Sequence, residues 1–138
     1  PQYDFLLLGR NWSEYPRFQE LCSLENFEYL EAKYSDYPAF YRQLDVFVSA
    51  SQLEGGPIPL LESMMSNVVP VASDTGFARD LIQDSVNGYL FSATEQDCGV
   101  IAERIERAKS LKTDIRQSVL NFNWDSYSAA HAELFRKA

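Results

Sequence analysis

The 138-residue sequence predicts an α/β fold, a Rossmann-like open parallel sheet of about five strands with flanking helices. Three observations carry that expectation. Apolar runs of strand length alternate with amphipathic stretches, the pattern of right-handed βαβ units. The run Val46-Phe47-Val48 is apolar without alternation, as a strand covered on both faces should be. Prolines, asparagines and glycines stand at the joints between these runs.

The elements follow in order. The first strand is Phe5–Leu8, closed by Gly9-Arg10-Asn11-Trp12 with its unusual aromatic. A helix is expected over Pro16–Ser23, with proline suited to a first turn. The second strand, Phe27–Leu30, leads through Lys33 and Tyr34 to a helix over Pro38–Leu44. The third strand, Val46–Ala50, precedes a helix over Ile58–Ser66, after which Asn67 suits a left-handed cap. Strand Val69–Ala72 and helix Ala78–Gln83 come next, and Asn87-Gly88 turns the chain into a last strand, Gly88–Phe91. Helices are expected over Cys98–Lys109, Lys112–Phe122 and Ser126–Lys137, the last with Tyr127, Ala130, Leu134 and Phe135 on one side.

Length suits one domain over residues 1–138, and 46% hydrophobic with 14% aromatic residues is enough for a packed core. The formal charge of −8 argues against a nucleic-acid partner, because neutralising phosphates takes clustered Lys and Arg. Cys22 and Cys98 have no metal or redox spacing, so both are expected to be small buried side chains in a reducing compartment. No segment reads as a membrane span or a cleavable signal, and a cytoplasmic location is expected. The chain opens almost directly on a strand, the expectation for a piece of a larger protein.

The most informative stretch is Glu54-Gly55-Gly56-Pro57-Ile58-Pro59-Leu60-Leu61-Glu62. One acid falls at the carboxyl end of a strand, the other about two turns on, inside a helix. In open α/β sheets, ligands bind in the crevice at the strand carboxyl ends. Glycines let a ligand approach the backbone, and a helix start offers N–H groups and roughly half a positive charge to an anion. A carboxylate at Glu62 can accept from two vicinal hydroxyls at once. Glu62 also lies among Leu60, Leu61, Met64 and Met65, where an ordinary solvated acid is less expected. Glu54, at the loop edge, can accept from a ligand hydroxyl or face developing positive charge.

The block Asp45 to Ser73, DVFVSASQLEGGPIPLLESMMSNVVPVAS, resembles the signature of the family 4 (group 1) retaining glycosyltransferases. These have two facing Rossmann-like domains, and the likeness is to the C-terminal, donor-binding one. It implies transfer of a sugar from a nucleoside diphosphate to an acceptor with retention, of hexosyltransferase type. No cofactor or metal is implied beyond the nucleotide sugar itself. The resemblance gives Glu62 the ribose hydroxyls and Glu54 the transferred sugar, as the catalytic-site acid. It assigns backbone contacts to Gly55, Gly56 and Ile58, and sets Lys33 and Tyr34 beside the base. It places the acceptor, a glycan or a lipid, on a missing N-terminal domain toward which residues 123–138 would pack. Any membrane contact, peripheral and on the cytoplasmic face, would come through the same absent part, without which this chain is expected to be inactive.

There are departures. The family commonly has an aromatic and then a glycine where this chain has Gly56 and Pro57, and Pro57 lacks an N–H. The family's first donor-domain strand, with its Arg and Lys on the diphosphate, would lie upstream of Pro1; Arg10 is the alternative for that arginine. Two other functions stay open on these grounds. One is a module that binds a nucleotide sugar without turnover; the other is an inactive interaction domain that keeps the fold. Of the remaining candidates, Ser49 and Ser51 read as turn residues, Asp74 and Thr75 as helix caps, and Arg79 and Asp80 as a solvated helix face. His131, Trp12 and Trp124 read as surface or packing residues.

Overall fold

The computed structural model describes residues 3–95 and 97–137; Pro1, Gln2, Gln96 and Ala138 of the expected domain lie outside the described residues. The chain falls into two compact units, Pro1–Tyr37 and Pro38–Ala138.

The first unit holds β1 (Phe5–Leu8), a 3-10 turn at Trp12–Glu14, α1 (Phe18–Cys22), β2 (Phe27–Leu30) and a 3-10 turn at Tyr34–Asp36. β1 and β2 pair in parallel, with Phe5 opposite Phe27 and Leu8 opposite Leu30. α1 makes the crossover, and its buried Phe18 meets the Tyr29 ring edge-on at 5.0 Å between centroids. Trp12 explains Gly9: a β-carbon there would lie 2.6 Å from the indole Nε1.

In the second unit α2 (Tyr37–Tyr41) runs in from the joint, followed by β3 (Val46–Ser49), α3 (Ile58–Met65), β4 (Val69–Ser73), α4 (Ala78–Leu81), β5 (Tyr89–Phe91), α5 (Cys98–Lys109), a 3-10 turn at Arg116–Val119 and α6 (Trp124–Lys137). The sheet order is β3-β4-β5, all parallel. β4 is the strand covered on both faces. Ala72 joins one core cluster with Leu60, Met64, Ala78, Leu81, Ile82, Ile115 and Val119. Val71 points the other way, to Tyr89, Phe91 and Ala108. Successive strand residues face opposite sides, so one strand feeds two cores. Gly88 fits beside the strand for the same reason: a β-carbon there would lie 2.5 Å from the Pro70 ring.

All five expected strands are present and pair in parallel, but they divide between two sheets. The strand expected to be enclosed, β3, is an edge of its sheet, with Val48 41% exposed. Local hydrophobicity cannot distinguish an edge strand from a central one when both are apolar. The helix expected over Lys112–Phe122 is only the four-residue 3-10 turn. Thr113 Oγ1 donates instead to Val86 O at 2.8 Å, and Asp114 Oδ1 accepts from Gln117 N at 3.4 Å, local bonds that compete with a regular helix. Asn67 takes the left-handed conformation expected of a cap, at φ 64°. Its Oδ1 accepts from Arg116 N at 3.2 Å, so one cap residue serves two elements. Cys22 and Cys98 are exposed rather than buried, each lying at the end of a helix. α6 has no buried residue, and Trp124, Leu134 and Phe135 are open on its surface.

Candidate functional site

The acid-glycine loop leaves the carboxyl end of β3 and enters α3, with the β4–α4 turn beside it. Glu54 is partly buried in this loop, and its carboxylate is held: Ser51 Oγ donates to Oε1 at 2.8 Å. Ser51 is fixed in turn, because Ser73 Oγ, 2% exposed at the end of β4, donates to Ser51 O at 2.6 Å. The Glu54 backbone N–H donates to Thr75 Oγ1 at 3.2 Å. Gly76, at φ 56°, presses on the same residue; a β-carbon there would lie 2.9 Å from Glu54 O and 3.1 Å from Pro57 Cδ. Three residues of the neighbouring strand and turn therefore fix Glu54, although the sequence separates them from the loop by more than twenty positions.

The two loop glycines differ. A β-carbon on Gly55 would meet nothing within 4 Å, whereas one on Gly56 would lie 2.7 Å from the Phe77 ring. Gly55 thus faces open space, and Gly56 is a packing glycine under an aromatic edge. At the start of α3, Ile58 N–H donates to Gly56 O at 2.8 Å, and Leu60 and Leu61 N–H to Pro57 O at 3.0 and 3.4 Å. Pro57 and Pro59 have no N–H. The donors of the helix tip are therefore engaged or absent. The Gly55 and Gly56 N–H groups have no acceptor among the described residues, which makes them the donors nearest the tip for an anion. The Ile58 side chain, 52% exposed, flanks them.

Glu62 lies in the second turn of α3, partly buried, and Tyr41 OH donates to its Oε2 at 2.9 Å. Tyr41 comes from α2 and is 3% exposed. The sequence reading missed it: twenty-one residues separate it from Glu62, and an apolar-run tyrosine reads as core. Thr75 read only as a helix cap and Ser73 only as part of a strand end, because their partners at Glu54 and Ser51 are equally distant in sequence. Asp74 and Thr75 do not cap α4, whose N-cap is Phe77 without a side-chain bond. Asp74 instead pairs with Arg79, whose Nε donates to Oδ1 at 2.7 Å while Nη2 meets Oδ2. That hydrogen bonding holds the Asp74 carboxyl below its ordinary range, against an opposing effect of burial, and raises the Arg79 guanidinium. Arg79 is therefore a partner of the turn beside Glu54, not simply a solvated charge.

Arg10, Lys33 and Tyr34 lie in the first unit, Glu54, Gly55, Gly56, Ile58 and Glu62 in the second. Within the first unit, Arg10 follows the end of β1 and Lys33 and Tyr34 the end of β2, so the parallel register brings all three to one sheet edge. Lys33 is exposed and the Tyr34 ring lies edge-on to Tyr37 at 5.2 Å. Among the described residues no three His, Cys, Asp or Glu side chains gather as a metal site, and no helix is long and apolar enough to cross a membrane.

Comparison with known proteins bears on this geometry. The profile of the group 1 glycosyl transferases matches residues 3–121, and the chain belongs to that family. No curated protein sequence matches it. Sucrose-phosphate synthase from Thermosynechococcus elongatus superposes at a TM-score of 0.78 with 22% identity, over 96% of this chain and 37% of that one. The Anabaena HepE protein, solved in complex with UDP and glucose, superposes at 0.76 with 18% identity, over 100% of this chain and 41% of its own. The C-terminal domain of a group 1 family glycosyl transferase, LpcC from Francisella tularensis, superposes at 0.56 with 23% identity, over 75% of this chain and 56% of its own. The chain thus spans about two fifths of the first two structures. Its fold is the α/β fold of a glycosyltransferase C-terminal domain.

Proposed function

We propose that this chain is the donor-binding part of a retaining glycosyltransferase, taking a sugar from a nucleoside diphosphate. The observation that carries the reading is the acid pair around the Gly55-Gly56 loop. Each carboxylate is already held by a hydrogen bond, Glu54 by Ser51 of its own loop and Glu62 by Tyr41 of α2. Acids that served only solubility would have no need of such fixing. Glu62 accepts the ribose hydroxyls, and the Gly55 and Gly56 N–H groups meet the diphosphate. Glu54 faces the transferred sugar, where its charge stabilises positive charge developing at the anomeric carbon as the leaving group departs. UDP and glucose in the HepE structure support a nucleotide-sugar ligand. Hexosyl transfer requires an acceptor, a glycan or a lipid, held by a further domain. No cofactor beyond the donor and no metal enters this reading. Location is cytoplasmic, with any membrane contact made by the further domain.

Calorimetric titration with UDP, GDP and ADP tests it. The account expects saturable binding of one nucleotide and its collapse in Glu62→Ala. Equal binding of the nucleotide by Glu62→Ala would refute the ribose role. Binding of the donor without transfer by the complete protein would favour a binding module without turnover.

A further inference from the structure

Tyr41 makes no contact with the donor in the reading above; it acts only on Glu62. Its ring is buried at 3% exposure, edge-on to Phe40 at 5.7 Å and to Phe47 of β3 at 6.0 Å. Two aromatic neighbours fix the ring plane, and with it the direction of the phenol. The O–H ends 2.9 Å from Glu62 Oε2. Packing alone would be met by phenylalanine, and the hydroxyl needs a partner only because it is there.

We propose that Tyr41 is a positioning residue that orients the Glu62 carboxylate for the ribose, an inference that rests on the donor-site reading above. A glutamate has three rotatable bonds, and it accepts two vicinal hydroxyls well only with its carboxylate plane set toward both. A carboxylate has about four acceptor sites, so one phenolic donor does not exhaust its capacity. The bond also ties α2 to α3, so the orientation of Glu62 is set by an element that itself carries no predicted ligand contact.

The test uses a ratio that loosened packing does not move. Wild type, Glu62→Gln and Tyr41→Phe are titrated with UDP and its 2′,3′-dideoxy analogue, with the GDP and ADP pairs alongside. The ratio of the two affinities reports only what the ribose hydroxyls contribute. Tyr41→Phe keeps the ring and its neighbours, so circular dichroism should match wild type. The expected result is a ratio collapsed in Glu62→Gln and lowered roughly fivefold in Tyr41→Phe, the size of one net hydrogen bond. An unchanged ratio in Tyr41→Phe, or equal weakening of both ligands, overturns this inference if Glu62→Gln does collapse it. An unchanged ratio in Glu62→Gln overturns the donor-site reading instead, and absence of nucleotide binding in wild type overturns both. Site-specific 3-fluorotyrosine at position 41 keeps the ring where Tyr41→Phe fails to fold. It makes the O–H a stronger donor, so the ratio must move with it, and a ratio that stays put overturns the inference.

Discussion

Gly76→Ala is the perturbation whose cost can be worked most fully from the geometry. Gly76 stands at φ 56°, in the left-handed region. Alanine there costs about 1–2 kcal/mol for its β-carbon. The loss of unfolded-chain freedom returns about 0.4–1 kcal/mol in the other direction. Together they leave a net cost of about 0–1.6 kcal/mol, and the close approach decides its size. The new methyl would lie 2.9 Å from Glu54 O, 3.1 Å from Pro57 Cδ and 3.2 Å from Glu54 C. Two of these atoms are backbone and the third is a locked ring, so none can swing aside. Overpacking of this kind costs about 1–3 kcal/mol, giving a net loss of about 1–5 kcal/mol. Gly55→Ala is the control, because its methyl meets nothing within 4 Å and its φ is not positive. The assay is urea unfolding of both variants beside wild type, read as midpoint and slope. A shift in midpoint for Gly76→Ala with little change for Gly55→Ala is expected. Gly76→Ala as stable as wild type would mean that the β4–α4 turn does not hold the Glu54 loop.

Two further predictions concern the frame around the site. Asn87 is 5% exposed; its side chain accepts from Gln83 N at 2.7 Å and donates to Leu81 O and Ser118 Oγ, each at 2.9 Å. Asn87→Ala should therefore destabilise by about 1–3 kcal/mol through unpaired buried groups, read by thermal unfolding, and an unchanged midpoint would refute this. The Asp74–Arg79 pair predicts a pH dependence. Because the folded carboxyl is held below its unfolded value, its stabilisation is present above the unfolded pKa, about 3.9, and is lost as pH falls through the folded one. Arg79→Gln should unfold at a lower temperature than wild type at pH 7, with the gap unchanged at pH 5 and closing below about pH 4. A gap that persists at low pH would refute the linkage.

Much of the fold was legible because it rests on local pattern. Both strands of the first unit match their expected bounds, Phe5–Leu8 and Phe27–Leu30, and so does the helix Cys98–Lys109. The acid-glycine block was legible because loop and helix start lie within nine consecutive residues. What escaped was whatever depends on distant pairing. The division into two sheets and the enclosure of β4 rather than β3 are set by neighbours, not by composition. Thr75 and Tyr41 reach the two acids, and Ser73 reaches Ser51 behind Glu54, across twenty residues or more, and each carries a side chain with an ordinary local explanation. Pro57 was legible as a lost donor; that Ile58 would spend its own N–H on Gly56 O was not. Cys22 and Cys98 were expected inside because free cysteines usually are, but both fall on exposed helix positions.

The central claim is that the two acids hold different parts of one donor, Glu62 the nucleoside and Glu54 the sugar. The direct measurement is titration of wild type, Glu54→Gln and Glu62→Ala with the preferred nucleoside diphosphate and with its sugar conjugate. The account predicts that Glu54→Gln binds the free nucleotide as wild type does and loses only the extra affinity the sugar supplies. Glu62→Ala should lose affinity for both ligands alike. Equal losses in the two variants, or loss of free-nucleotide binding in Glu54→Gln, would contradict it.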